Sequence, residues 1–175
     1  MKVHGIFGGI GSVPKRISGT PLFAEAASAA AATGTTFIEL CRTGTPEAVA
    51  AALRSGADVN ARGEKKRTAL MYAAAKNPEP GVVSALLEAG ADIQGENDAG
   101  WTALMAAAHN SNPDVTATLL EAGANVHERN RSGRTALMEA RENENPRARK
   151  AIVKLLKRAE AGEQPFYGSK DEKGR

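Results

Sequence analysis

Thr68-Ala69-Leu70-Met71 returns as Thr102-Ala103-Leu104-Met105 and again as Thr135-Ala136-Leu137-Met138. The intervals are 34 and 33 residues. A period of this length marks stacked repeats, each a supersecondary unit that buries its apolar face only against its neighbours. It also moves the expected function away from bond-making chemistry and toward holding a partner on an extended surface.

Reading outward from each motif gives a second regularity. Thr68 leads into alanines, then Asn77-Pro78-Glu79-Pro80, then Val82-Val83 and Leu86-Leu87, and closes on Gly90-Ala91-Asp92. Thr102 leads into alanines, then Asn112-Pro113-Asp114, then Leu119-Leu120, and closes on Gly123-Ala124-Asn125. Each unit predicts a short helix, a tight turn, a second helix and a glycine stop. The threonine hydroxyl caps the first helix by accepting from an orphan amide. The Asn-Pro step is expected to end it, because proline disfavours helical dihedrals in the residue before it. Gly90 and Gly123 stand where a left-handed C-cap residue is needed. The one extra residue of the second unit is expected in its Asn-Pro-Glu-Pro turn.

In this register an earlier unit emerges: Thr35-Thr36-Phe37-Ile38 opens a first helix, Thr45-Pro46 a second, and Gly56-Ala57-Asp58-Val59-Asn60 closes it. These residues resemble the ankyrin repeat family, whose pattern runs Thr-Pro-Leu-His, two alanines, a glycine turn, a Leu-Leu pair and Gly-Ala-Asp-Val-Asn. The resemblance covers roughly residues 35–160 and implies an all-α ankyrin-type helix-turn-helix solenoid of four repeats with short hairpin-like loops. The repeats fall at about 35–67, 68–101, 102–134 and 135–160. The family's proline is replaced by Ala69, Ala103 and Ala136, and its histidine by Met71, Met105 and Met138, which are expected to fill core space. The fourth unit departs most: its second helix runs on from Pro146, and its charges (Arg147, Arg149, Lys150, Lys154, Lys157, Arg158) suit an exposed terminal cap.

Composition agrees with a thin, layered core. Hydrophobic residues make up 42% of the chain but aromatics only 4%, so small alanines must bring helices together. Residues 1–128 hold 10 Lys or Arg against 13 Asp or Glu, a net −3, whereas residues 129–175 hold 13 against 7, a net +6. That basic third could attract nucleic acid or an anionic surface; because its cations alternate with glutamates, a solvated helix face is the preferred reading. No apolar run is long enough for a membrane-spanning helix. The lone Cys41 cannot form an internal disulfide, which favours a reducing compartment and a cytoplasmic setting, with a secreted effector as the alternative.

The ends read differently from the repeats. Gly5, Gly8, Gly9 and Gly11 lack the Gly-Lys-Ser/Thr context of a phosphate loop. Pro14-Lys15-Arg16 interrupts any secretory apolar run. Within the segment 1–34, Thr20-Pro21 predicts an alanine-rich capping helix at 21–32. The tail 161–175 is polar and is expected to be flexible, with Phe166 and Tyr167 as its only expected anchors. Met1 and the uneven last repeat argue against a fragment of a larger enzyme.

No catalytic or metal-ligating set emerges. His4, His109 and His127 lie apart in the repeat register, Cys41 falls where a small buried residue belongs, and Glu39, Glu139 and Glu142 form no partnered carboxylate pair. The chain is expected to be a monomer and not an enzyme, to need no cofactor, and to bind a protein partner, nucleic acid being the less favoured ligand.

The family resemblance places binding on a concave face built from the loops before each Thr and the exposed positions of each first helix. Those loops carry Glu64 to Arg67, Asp98 to Trp101 and Arg131 to Arg134; the helices carry Glu39, Arg42 and Thr43, then Tyr72, Ala75 and Lys76, then Ala106, His109 and Asn110, then Glu139, Glu142 and Asn143. The candidate partner-binding residues are Lys65, Arg67, Tyr72, Lys76, Trp101, His109, Asn110, Arg131, Arg134 and Glu142. Trp101 leads them, since tryptophan and arginine concentrate binding energy at interfaces; Arg67 and Arg134 hold its equivalent positions and suit an acidic partner. Deleting residues 1–33 is expected to lower the melting temperature by uncovering the first repeat, and an unchanged thermal melt would remove the capping role.

Overall fold

The computed structural model describes residues 34–162, so the expected capping helix at 21–32 lies outside the described residues. Eight α-helices follow in pairs: α1 (Gly34–Thr43) with α2 (Pro46–Arg54), α3 (Ala69–Lys76) with α4 (Pro80–Glu88), α5 (Ala103–Ala107) with α6 (Pro113–Glu121), and α7 (Ala136–Ala140) with α8 (Pro146–Glu160). First helices pack on first helices, α1 on α3, α3 on α5 and α5 on α7; second helices pack likewise, α2 on α4, α4 on α6 and α6 on α8. Between pairs the chain makes a short hairpin-like finger, and among the described residues the only β pairing is an isolated bridge between Arg62 and Thr68.

Local chemistry sets the helix ends. The Thr68 and Thr102 hydroxyls accept from the amides of Met71 and Met105, as the motif predicts, while Thr135 makes no such cap. Pro46, Pro80, Pro113 and Pro146 each begin a second helix, where a missing N–H removes nothing and the fixed φ suits the first turn. Gly56, Gly90 and Gly123 take φ of 93°, 91° and 88° just beyond α2, α4 and α6, closing them as left-handed caps.

The core is a single seam between the two helix rows. Val49, Val82, Val83, Leu86, Val115, Leu119, Ile152 and Leu156 are sealed from solvent, and alanines such as Ala73, Ala74 and Ala107 allow the close approach. Met71 and Met105 are buried as expected, but Met138 is 40% exposed, because no further helix pair covers α7 among the described residues. Helix α8 buries Ala148, Ile152 and Leu156 along one stripe and turns its cations outward, the expected division for the last layer of a stack.

The layers are tied by asparagines whose role differs from the expected helix stop. The Asn77 side-chain amide donates to the carbonyls of Cys41 and Gly44 at 3.0 and 2.9 Å. Asn110 donates to those of Ala74 and Asn77, both at 2.8 Å, and Asn143 to those of Ala108 and Asn110 at 2.8 and 2.9 Å. Each side-chain oxygen then accepts the amide two residues on, at Glu79, Asn112 and Asn145. All three asparagines are at most 2% exposed. Only a planar primary amide offers two donors and an acceptor at one point, so each asparagine satisfies carbonyls at the end of the preceding first helix while folding its own turn.

This ladder corrects the register read from the sequence. Asn77, Asn110 and Asn143 are equivalent, and so are Pro80, Pro113 and Pro146; the pairing of Asn77-Pro78 with Asn112-Pro113 was two positions out of phase. Thr68 and Asn77 are nine residues apart, against eight for Thr102 and Asn110 and for Thr135 and Asn143, while Asn77 to Gly90 and Asn110 to Gly123 both span 13. The extra residue therefore lies in α3 and not in the turn after it. Asn110 and Asn143, expected on the open face, are interior residues.

Replacing Asn110 by alanine leaves two carbonyls and one amide without partners in a dry seam and is expected to lower stability by about 3 kcal/mol. Asn112→Ala removes an N-cap at the α6 terminus and an exposed bond to the Pro78 carbonyl at 2.7 Å, and because both are open to solvent it is expected to lose only about 1 kcal/mol. Urea denaturation of both variants checks this, and equal losses would deny the ladder its role.

Candidate functional site

Three fingers position the face residues. In each, a backbone amide on the outgoing arm donates to a carbonyl on the returning arm: Gly63 to Arg67, Asn97 to Trp101 and Asn130 to Arg134. Arg67, Trp101 and Arg134 thus hold one repeated position, as the sequence period implies. The Asn97 side-chain oxygen accepts the amides of Ala99 and Trp101, and that of Asn130 the amides of Ser132 and Arg134. Neighbouring fingers join through backbone bonds from Asp98 to Lys65 and from Arg131 to Ala99.

The first finger lacks this organising side chain, because Gly63 stands where the others have asparagine. It closes as a tight 3-10 turn, Glu64–Lys66, in which Lys65 and Lys66 both take φ of 55°. The equivalents of Lys66 are Gly100 and Gly133, at φ 71° and 74°, so a lysine bears a backbone conformation that glycine adopts without penalty. Gly63 also leaves room for Tyr72: a Cβ there would lie 3.0 Å from the Tyr72 hydroxyl and 3.0 Å from Ile38 Cδ1.

Beneath these fingers is a cleft of about 240 Å³, lined by Arg42, Arg67, Met71, Tyr72, Ala75, Lys76, Asn97, Trp101 and Ala106. Four of the ten expected binding residues meet here: Arg67, Tyr72, Lys76 and Trp101. The floor is apolar and two walls are aromatic. Of the three cations, Arg42 pairs with Glu39 at 2.9 Å, whereas Arg67 and Lys76 make no ion pair among the described residues. Trp101 is half-buried and packs on the core. His109 lies outside the cleft lining and stacks on the indole with centroids 5.8 Å apart and planes 22° apart, fixing that wall.

The fourth unit makes a different surface. Glu139, expected to be exposed, is 4% exposed. Arg134 Nε donates to it at 2.6 Å, its other oxygen meets His109 Nε2 at 3.2 Å, and Asn130 adds a longer contact. A second Arg134 nitrogen reaches Glu142 at 2.7 Å. Glu139 first, and then Glu142, hold the guanidinium proton still more firmly than usual. Arg134 is thus neutralised within the protein, which corrects its expected place beside Arg67 in a row facing an acidic partner; the buried carboxylate below it draws it inward. Asn110 belongs to the ladder and not to this surface. Lys65 and Arg131 are exposed at finger tips, away from the cleft.

Two contributors escaped the sequence reading. Asn97 lies outside the expected binding residues, although its spacing of 33 from Asn130 is a usable signal. Glu139 holds a surface position in the sequence register, and only the fold shows Arg134, His109 and Asn130 converging on it.

With this geometry in place, residues 74–165 are found to fit the family model of ankyrin repeats, in three copies. The chain belongs to the ankyrin repeat family. The match begins inside α3, and the first helix pair joins the stack by its packing on α3 and α4. No curated protein matches the chain. Ankyrin repeats are generally protein–protein interaction modules.

Cys41 supplies no nucleophile in the native fold. It is sealed from solvent, and burial pushes its thiol up to about 12, so the reactive thiolate is scarce at neutral pH. As the only cysteine, it is expected to resist a disulfide reagent in native buffer and to react over the same urea range in which the first unit unfolds. Rapid labelling of the folded protein would contradict that burial.

Proposed function

We propose that the chain is a non-catalytic, monomeric binding module that holds a protein partner on its concave face, with the cleft between Arg67, Tyr72, Lys76 and Trp101 as the anchor point. The observation that carries this is the convergence of an apolar floor, two aromatic walls and two unpaired cations at one concave place. Energetically dominant interface residues are of these types and sit in such pockets. The volume argues for a protein ligand over a metabolite, since small-molecule sites usually enclose roughly 300–1,000 Å³. The cytoplasmic setting expected from the lone cysteine belongs to the same proposal.

A second reading rests on α8. Its exposed Arg147, Arg149, Lys150, Lys154 and Lys157 make no ion pair among the described residues, and Arg141, Arg149 and Lys150 border a shallow depression. These cations suit a polyanion, whose binding would fall steeply with salt as counterions are released. The helix's apolar stripe is already buried in the stack, which leaves little to insert into a membrane.

Arg67→Ala/Trp101→Ala is expected to remain folded, with about 1–3 kcal/mol lost from the half-buried indole, and to lose the partners that the wild-type protein captures from its native source. Equal recovery of those partners would remove the cleft from the function. Salt-sensitive binding of bare nucleic acid that survives the double substitution would favour α8 instead.

A further inference from the structure

We propose that the cleft takes one apolar side chain of an extended partner segment whose carboxylates lie on only one side of that side chain, toward the first and second units; this rests on the concave-face reading above. The size of the cleft, about 240 Å³, limits the occupant to a single large side chain, since it falls below the usual range for whole small ligands. Met71, Ala75 and Ala106 below, with Tyr72 and Trp101 beside, offer it an apolar bed.

The charge around this bed is lopsided along the stack. On the side of the first and second units three cations line the cleft: Arg42 is balanced by Glu39, whose side chain is 54% exposed, while Arg67 and Lys76 make no ion pair among the described residues, so two positive charges are left in excess there. On the far side of the Trp101–His109 stack the balance reverses. Arg134 is held by Glu139 and Glu142, and the Glu142 side chain is 59% exposed. A carboxylate of the partner gains a charge-assisted contact on the first side, and on the second it meets a cation already paired and an exposed acid. Stacked helices lie about 8–10 Å apart and an extended chain advances about 3.3–3.6 Å per residue. The partner's acids therefore fall within about three residues of the anchor. Charge alone does not set the chain direction, so the acids precede or follow the anchor, and one order is preferred.

The test uses the full chain and synthetic nine-residue Gly/Ser peptides with a central leucine. Two glutamates lie within three residues before the leucine, after it, or on both sides; control peptides carry glutamines or lysines instead. The single tryptophan lines the cleft, so its fluorescence reports binding. One of the one-sided acidic peptides is expected to bind about tenfold tighter than the glutamine peptide, as two exposed charge pairs would give. That advantage should shrink with added salt and vanish in Arg67→Ala/Lys76→Ala, whose thermal melt should stay close to wild type. The two-sided peptide should gain nothing over the better one-sided one.

Equal binding of the glutamine or lysine peptides, a further gain from acids on both sides, an acid preference that survives the double substitution, or no binding by any peptide would each overturn the proposal. If the peptides fail while Trp101→Ala still abolishes capture of native partners, the concave-face reading stands and this partner chemistry falls. If Trp101→Ala leaves capture intact, the reading itself falls.

Discussion

A buried primary amide bridging one layer to the next is the constraint on which this structure depends. Helices of five residues, such as α5 and α7, are too short to persist alone, and the carbonyls that end α1, α3 and α5 need partners within the stack. Asn77, Asn110 and Asn143 answer both problems by capping the previous unit while starting their own turn. Among the described residues no buried side-chain nitrogen or oxygen lacks a partner, so the polar seam is complete. A partly satisfied network would be worse than an apolar one.

Once the ladder holds the layers, the positions on the fingers and at the ends of the first helices can diverge in chemistry at little expense to the fold. The residue preceding each ladder asparagine is Lys76, His109 or Glu142. The returning arm of each finger carries Arg67, Trp101 or Arg134. The same scaffold position is therefore a free cation in one layer, an aromatic wall in the next and a neutralised cation in the third. What decides between them is the surrounding layer: Arg134 has Glu139 beneath it, whereas in the second unit the corresponding place is filled by Tyr72 and Ala73.

The sequence made the period, the helix pairs, the threonine caps and the glycine stops legible, because these depend on local dihedral preference and on spacing that repeats. It also brought out four residues of the cleft, since a break in a repeated pattern is visible without a fold. The asparagine ladder was hidden by a local reading: beside a proline, asparagine looks like a helix stop, and its bonds reach 33 to 36 residues back along the chain. The fate of Glu139 and Arg134 was equally out of reach, because burial of a carboxylate follows from which layers cover it. Met138 shows the same limit from the other direction, a core position by pattern that no described helix covers.

The first two motifs are separated by 34 residues and the next two by 33, and that single surplus residue sits in α3, before Asn77. Since the second, third and fourth units are each anchored at an asparagine, length can change upstream without disturbing the bonds between layers. Four of the cleft's lining residues, Met71, Tyr72, Ala75 and Lys76, come from this lengthened helix, beneath the finger where Gly63 makes room for the tyrosine ring. An array of alike layers offers a partner several alike grooves and no reason to choose one. Here the symmetry is broken by an insertion, and the break in the count coincides with the groove that differs from its neighbours.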